Sequence, residues 1–463
     1  MAKLWDKGYS LDALIERFTV GNDYILDRRL VAADAVGSIA HARMLAAVGI
    51  IGREEAAALE RELQVVAAEA VKDGCEIRRD QEDSHTFLEE RLVNRLGEAG
   101  KRIHTGRSRN DQVLASSRLF AREGLLQVRS LISRAAAALL ELARVHEQTP
   151  MPGRTHLQPA MPSTVGLWAA SYAEALLDAD VMLASAYRLI NRSALGSAAS
   201  FGVPLPLDRE QVARELGFSA IHHNVLAAVS SRGQTEMALL DALDQVGITL
   251  SRLASDLILS TLPELGYFSL PPELCSGSSI MPQKRNPDGL ELLRGKSAVL
   301  SAAADQVRNI VRSLPSAYNR DVQETKEPIM RGLDLTCDML AVAELTVERL
   351  EVHEERLRAG FTSEIFATDV ALERVASGES FRDAYQAVAA ELERLDADSF
   401  DLREMISRRS ATGSPGNLDL DYAARELERV SREVEGERER VALAVKTLAG
   451  RALPLYPGAP AER

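Results

Sequence analysis

The sequence is poor in cysteine and in aromatic residues, and it has no excess of positive charge. Its 463 residues include three cysteines, Cys75, Cys275 and Cys337, which are too few and too scattered for a disulfide framework or a zinc site and fit a reducing, cytoplasmic compartment. Aromatic residues make up 5% of the chain, which leaves little for stacking nucleic-acid bases. Lys and Arg number 55 against 68 Asp and Glu, and the resulting net charge of −13 argues against a nucleic-acid partner, which needs a basic footprint.

Long apolar runs and an export signal are also missing. The first six residues, MAKLWD, contain no apolar signal core. The uncharged stretch 155–173 contains His156, Gln158 and two prolines, so it is too polar for a membrane span of about 20 apolar residues. We therefore expect a soluble protein with no membrane partner.

Alternating runs of β-branched residues, which are typical of half-buried strands, are nearly absent as well. The sequence has instead long segments rich in Ala, Leu, Arg and Glu. Five of these segments predict long helices: 113–149, 163–195, 234–262, 287–314 and 328–359. The first would be ~55 Å long as an unbroken helix. The sequence therefore predicts an all-α fold, with a long central helical bundle at 106–360 flanked by two smaller helical domains at 1–105 and 361–463.

Four polar stretches stand out against this helical background, and the first is residues 100–112. It places Lys101, Arg102, Arg107 and Arg109 just before the first long helix. Backbone N–H groups at a helix start, together with guanidinium groups, suit a carboxylate or a phosphate. A helix-capping loop with surface arginines is an equally good interpretation of this stretch taken alone.

The other three polar stretches also lie at predicted helix ends. His156 is presented by a loop that opens the second long helix, although a lone histidine is more often structural. The stretch 275–287 combines mobile Gly and Ser residues with Lys284 and Asn286, which are donors for an oxyanion. The stretch 314–326 is a polar connection between two long helices and is a weak signal by itself.

No cofactor motif accompanies these stretches, so the chemistry they support is acid–base and electrostatic. Removing a proton beside a carboxylate and expelling a leaving group takes a base, an acid and cations that stabilise the developing dianion. His156, Ser278, Lys284 and the arginine cluster of 100–112 together supply these groups.

Three of the stretches closely resemble motifs of the argininosuccinate lyase family, which belongs to the fumarase/aspartase superfamily. Residues 277–287, GSSIMPQKRNP, resemble the superfamily signature loop. Residues 104–112, HTGRSRNDQ, and 318–326, YNRDVQETK, resemble family-specific motifs. The resemblance extends from about Trp5 to Tyr385.

The resemblance implies an activity and an assembly. The activity is the reversible β-elimination of argininosuccinate to arginine and fumarate, a step of arginine biosynthesis, with no metal and no organic cofactor. The assembly is a cytoplasmic homotetramer in which central helices of four subunits form the core. Each active site would be shared between three subunits.

The resemblance also implies roles for individual residues. His156 and Ser278 would be the acid–base pair, with Ser278 favoured as the base, although either order is open. Lys284 would favour the Ser278 alkoxide, and Glu291 would orient His156. The implied substrate-binding residues are His85, Ser108, Arg109, Asn110, Thr155, Asn286, Tyr318, Gln323 and Lys326.

The chain departs from the family pattern at three places. Residues 4–8 read LWDKG where many members have WGGRF, and Arg154 replaces a usual Tyr. Near Asn22 and Asp23 the usual substrate-binding serine is missing. An acid there is expected to repel a substrate carboxylate and to attract a guanidinium group.

Two alternative functions remain open from the sequence. Another lyase of the superfamily, acting on adenylosuccinate, fumarate or aspartate, would share His156 and the Ser278 loop but lack the 107–112 and 318–326 motifs. A non-catalytic structural protein on the same fold is the second alternative. The retained Lys284 and Glu291, with the acid–base pair, argue against it.

Overall fold

The computed structural model describes residues 12–456 and 458, without the side chain of Asp398, so the departure at residues 4–8 lies outside the described residues. The α-helices within these residues are α1 (Ala13–Val20), α2 (Asp23–Leu26), α3 (Val31–Ala47), α4 (Arg53–Lys72), α5 (Ser84–Leu96), α6 (Glu98–Lys101), α7 (Arg109–Val145), α8 (Val165–Ile190), α9 (Arg209–Glu215), α10 (Val225–Ser230), α11 (Gln234–Ser260), α12 (Asp288–Val311), α13 (Lys326–Glu348), α14 (Glu354–Ala359), α15 (Ala367–Ala376), α16 (Phe381–Ala390), α17 (Leu402–Ser407) and α18 (Leu420–Ala449). Turns of 3₁₀-helix cover Asp27–Arg29, Arg79–Gln81, Arg102–His104, Pro272–Leu274, Arg320–Thr325, Ser363–Phe366, Leu392–Arg394 and Ala397–Ser399. The strands pair as β1 (Pro150–Thr155) with β2 (Gln158–Thr164), β3 (Arg192–Ser193) with β4 (Ala220–Ile221), and β5 (Phe268–Ser269) with β6 (Glu351–Val352). The predicted all-α class is confirmed.

The five predicted long helices are present as α7, α8, α11, α12 and α13, but several of their ends differ from the prediction. Helix α7 begins at Arg109, four residues earlier than predicted, because Ser108 and Asp111 form a capping box: the Asn110 N–H donates to Ser108 Oγ at 3.3 Å, and the Ser108 N–H donates to Asp111 Oδ1 at 2.9 Å. Helix α13 begins at Lys326, since Pro328 fits the first turn, where its missing N–H costs nothing.

The segment before α8 is a β-hairpin where the sequence predicted a loop. Strands β1 and β2 pair antiparallel from Pro150 opposite Thr164 to Thr155 opposite Gln158. Helix α8 therefore begins only at Val165. His156 lies at the tip of this hairpin and not on a loop that leads directly into the helix.

The main core lies between the long helices. Leu125, Leu183, Leu243, Leu300 and Leu340, one from each, are fully buried. Each such leucine contributes roughly 1.5–3 kcal/mol of transfer free energy. Because most of the stability of a long helix in water comes from this packing, the bundle is a rigid frame for the loops at its two ends.

Helix α3 is buried on nearly every side and packs against α4, α5 and α7. It carries three buried polar side chains, Asp34, Ser38 and His41, and the first of these reaches the candidate site. Among the described residues no single helix is long and apolar enough to cross a bilayer; residues 23–29 and 31–47 pass that test only as a bent pair.

The last long helix, α18, packs across α7 and α8. A buried bidentate ion pair joins Arg129 of α7 to Asp180 of α8, with Nε–Oδ1 at 2.7 Å, and Glu433 of α18 adds a contact to the same guanidinium at 3.1 Å. The Leu455 N–H then donates to Glu123 at 2.6 Å. These contacts bring the C-terminal region back to the bundle, and the division at 105 and 360 stays a prediction.

Candidate active site

A polar pocket lies at one end of the bundle, where α7 and α11 begin and α12 leads into α13. The residues from the sequence prediction that line it are His85, Arg109, Asn110, Tyr318, Gln323 and Lys326. It is also lined by Val20, Asp23, Asp27, Glu82, Asp83, Val113, Arg232 and Arg320. Two of the three predicted family motifs thus meet in one place.

Lys326 is held between two carboxylates at the bottom of the pocket. Its Nζ lies 2.5 Å from Asp27 Oδ1 and 3.0 Å from Asp23 Oδ1, and only 4% of its side chain is exposed. Burial lowers the pKa of Lys326, but the two carboxylates outweigh burial and the net shift is upward. The ammonium is therefore charged, and it pairs with Asp23 as well as with Asp27. The acid near Asn22 that was expected to repel a substrate carboxylate is paired inside the protein.

Arg109 is fixed by acids at the start of α5. Its guanidinium contacts Glu82 at 3.0 Å and Asp83 at 3.6 Å, and it donates to Thr86 Oγ1 at 2.6 Å. Asp83 also caps α5 through the Thr86 N–H. Burial raises the pKa of the Asp83 carboxyl, but His85 and Arg109 outweigh it and the net shift is downward.

His85 forms a buried pair with Asp34 beside the pocket. His85 Nδ1 lies 2.6 Å from Asp34 Oδ2, and Ser84 Oγ donates to the same oxygen at 3.0 Å. Burial lowers the pKa of His85, but the carboxylates, Asp34 first, outweigh it and the net shift is upward. Its buried Nε2 has no hydrogen-bond partner within the described part of the chain. This ring nitrogen is thus available to a ligand.

Arg232 and Asp34 were missed by the sequence reasoning. Arg232 stands alone between α10 and α11 with no motif around it, and Asp34 lies inside an apolar helix pattern. For Asp34 the available signal was a charged residue in a mostly apolar helix, which requires a buried partner, and for Arg232 there was none.

His156 lies far from this pocket, at the exposed tip of the β1–β2 hairpin. His156 and Leu157 both have positive φ, 53° and 62°, which is the geometry of a two-residue type I′ turn. The Arg154 guanidinium secures the turn, donating to the Leu157 carbonyl at 2.9 Å and to the Tyr267 hydroxyl at 3.2 Å. The strained turn presents the imidazole and the adjacent Thr155 outward.

Ser278, Lys284 and Asn286 share a third location, the loop before α12. Paired backbone hydrogen bonds between Ser276 and Asn286, at 3.0 and 2.9 Å, close this loop at its base. Ser278 Oγ accepts the Met281 N–H at 3.1 Å, and Lys284 is exposed. Glu291 is likewise exposed, in the first turn of α12.

The helix lengths separate these three locations within one chain. Helix α7 has 37 residues, so ~55 Å lies between Arg109 at its start and the hairpin after its end. Helix α12 has 24 residues, so ~36 Å separates the Ser278 loop from Tyr318. A single chain therefore does not bring His156 or Ser278 to the pocket. Ser108 is next to the pocket, but its hydroxyl caps α7.

The sequence is similar to known lyases over most of its length. Residues 8–301 match the family model described as Lyase. An argininosuccinate lyase of Sorangium cellulosum is 47% identical over 430 residues, covering 93% of this chain and 99% of the relative. An argininosuccinate lyase of Thermotoga neapolitana is 40% identical over 387 residues, covering 84% of this chain and 97% of the relative.

Solved structures with a similar fold include two other lyases. The structure of EDDS lyase in complex with formate has a TM-score of 0.81 and 23% identity, covering 96% of this chain and 95% of that one. The class II fumarase of Schistosoma mansoni has a TM-score of 0.71 and 18% identity, covering 90% of this chain and 94% of that one. At these identities the likeness shows the fold alone, and it confirms the fumarase/aspartase-like architecture.

Proposed function

Because the chain belongs to the argininosuccinate lyase family, we propose that it cleaves argininosuccinate reversibly to arginine and fumarate. The reaction is a β-elimination, in which a carbon beside a carboxylate loses a proton and the bond to the guanidino nitrogen breaks. The observation that carries the proposal is the meeting of Arg109 and Asn110 with Tyr318, Gln323 and Lys326 in one pocket.

The charges of the pocket fit one end of that substrate. Its lining contains both acids and cations: Asp23, Asp27, Glu82, Asp83, Arg109, Arg232, Arg320 and Lys326. A ligand group that carries both charges, such as an α-amino acid, matches this balance better than a plain dicarboxylate does. We therefore place the arginine part of argininosuccinate in this pocket and the succinyl part toward the proton-transfer residues.

The proton-transfer roles follow the family motifs. Ser278 takes the proton from the carbon acid, and the Lys284 ammonium stabilises its alkoxide. His156 gives a proton to the leaving nitrogen, and Glu291 orients the imidazole. Asn286 and Thr155 hold the substrate beside them.

The separation of the three locations supports a shared site. A serine base needs a site from which water is excluded, yet Ser278 is only partly covered and His156 is exposed in one chain. A second and a third chain of a homotetramer would bring these groups to the pocket and cover them.

The exposed apolar side chains of the long helices fit the same assembly. They include Val181, Met182, Leu189, Ile248, Leu259, Leu292 and Val342. Such side chains on a bundle are typical of a protein–protein interface. We place this tetramer in the cytoplasm, where the free thiols of Cys75, Cys275 and Cys337 would stay reduced.

The proposal is tested by following the absorbance of fumarate with two substrates offered separately. Argininosuccinate is expected to yield fumarate, and adenylosuccinate is expected to yield none. Cleavage of adenylosuccinate alone would assign the chain to another activity of the superfamily. Absence of turnover with either substrate, from folded protein, would favour a structural protein.

A further inference from the structure

Arg232 differs from the other cations of the pocket. Arg109 and Lys326 each contact two acids, and Arg320 donates to the Thr19 carbonyl at 2.8 Å. Arg232 is only 8% exposed, yet its guanidinium has no hydrogen bond and no ion pair within the described part of the chain. Asp23 attracts this guanidinium only through a longer-range charge interaction. A buried cation without a direct partner is costly, which indicates that a ligand supplies one.

The turn that carries Arg232 is rigidly built. The Arg232 N–H donates to the Val229 carbonyl at 3.2 Å. Gly233 follows with φ +89°, and a Cβ there would lie 2.1 Å from Val311 Cγ1, so only glycine fits. The Gly233 N–H donates to Glu236 Oε2 at 2.7 Å, which caps α11. The turn therefore fixes the backbone from which Arg232 reaches the pocket, and no salt bridge within the described residues ties up its guanidinium.

We propose that Arg232 binds the α-carboxylate of the arginine part of the substrate and so selects an α-amino acid at this end. This inference rests on the proposed function. The succinyl carboxylates belong with Ser278 and His156, which leaves one carboxylate for the pocket. Asp23, the more exposed of the two acids on Lys326, lies in the same pocket and suits the α-ammonium attached to the same carbon.

The inference is tested with two inhibitors that differ only in that carboxylate. L-Arginine carries it, and agmatine, its decarboxylated analogue, does not. Inhibition constants for both, with KM and kcat for argininosuccinate, are measured for the unchanged enzyme, for Arg232→Gln and for Arg232→Lys. The control is Arg432→Gln on the outer face of α18, where the side chain is 73% exposed.

Arg232→Gln is expected to weaken arginine inhibition and raise KM by about 10- to 100-fold, the loss expected for a charge-assisted hydrogen bond, while agmatine inhibition changes less than about threefold. Arg232→Lys keeps the charge but not the paired N–H groups of the guanidinium. Its arginine inhibition constant and its KM are expected to lie between those of the unchanged enzyme and of Arg232→Gln. The inference would be overturned if Arg232→Gln weakened inhibition by arginine and by agmatine equally, or if it did not weaken inhibition by arginine. If Arg232→Gln does not fold, an unchanged arginine-to-agmatine ratio in Arg232→Lys overturns it.

Failure of the proposed function gives a different result. If the unchanged enzyme does not cleave argininosuccinate, that function is wrong. Direct binding of arginine and agmatine by calorimetry still tests Arg232 in that case, because it needs no turnover. Loss of arginine binding in Arg232→Gln would then support the carboxylate site, and retained binding would contradict it.

Discussion

The Ser278 hydroxyl is not arranged to act as a base in the isolated chain. In the isolated chain it accepts the Met281 N–H at 3.1 Å and stays partly exposed, and Lys284 on the same loop is exposed to water. An alkoxide in this setting would be poorly stabilised, because water screens the ammonium. Closure of the loop over the substrate would remove that water.

This setting gives a prediction for two neighbouring serines. Ser278→Ala is expected to reduce kcat at least ~10³-fold, which is ~4 kcal/mol of barrier, while the substrate still binds. Ser279→Ala is the matched control, since its side chain is exposed on the same loop and is expected to cost much less. Steady-state kinetics of both variants are the measurement. An inactive Ser279→Ala beside a normal Ser278→Ala would show that the motif alignment is wrong.

The histidines give a prediction for stability against pH. Burial, then Arg107, lowers the pKa of His104 to about 4, and burial, then Arg118, lowers the pKa of His222 to about 4. An unfolded histidine titrates near pH ~6.5, so below that pH the unfolded chain takes up protons that the folded chain does not, and stability falls. His85 contributes a pH dependence of stability of the opposite sign. Its pKa is raised, so the stability that it contributes is lost as the pH rises through that raised pKa.

The unfolding midpoint is therefore expected to fall between pH 7 and pH 5, with each lowered histidine accounting for up to about one proton taken up on unfolding. In the double variant His104→Gln, His222→Gln, the unfolding midpoint should fall less between pH 7 and pH 5 than in the unchanged protein. Thermal unfolding followed by circular dichroism over this pH range is the measurement. The same slope in the variant and in the unchanged protein would contradict the assignment.

At the scale of elements, the sequence was informative about helices and silent about the hairpin. The bundle follows from long Ala- and Leu-rich segments, because periodic apolar positions bury one face of each helix. Strands β1 and β2 contain four prolines and Gly153, and their turn is His156-Leu157 where a type I′ turn usually has Asn-Gly. No local pattern indicates strands there, and the two segments become strands by pairing with each other across that turn.

The candidate site could likewise be predicted from the sequence only in part. Motifs identified the residues that share a stretch of chain, such as Arg109 with Asn110. They gave no sign of Arg232 or of the Asp34–His85 pair, because these become neighbours only when α3, α5 and α11 pack together. The capping role of Ser108 also became visible only from its hydrogen bonds.

At the scale of the whole molecule, the bundle keeps the pocket and the proton-transfer residues at opposite ends of its helices. The proposed tetramer resolves this if antiparallel neighbours bring opposite ends together. Its expected mass is four times 50.5 kDa, and light scattering measures it.

The length of α7 has a consequence for mixtures of chains. Suppose that Arg109 and His156 of one chain serve different active sites. Chains carrying Arg109→Gln and chains carrying His156→Asn are then each inactive alone. The first are defective in the half of a site that contains the pocket, and the second in the half that contains the proton-transfer residues. After the two are unfolded together and reassembled in equal amounts, about a quarter of the sites would receive an intact half from each of two chains. Activity near that fraction of the unchanged enzyme is expected, from particles of unchanged mass. A mixture as inactive as its two components would mean that one chain builds its site alone.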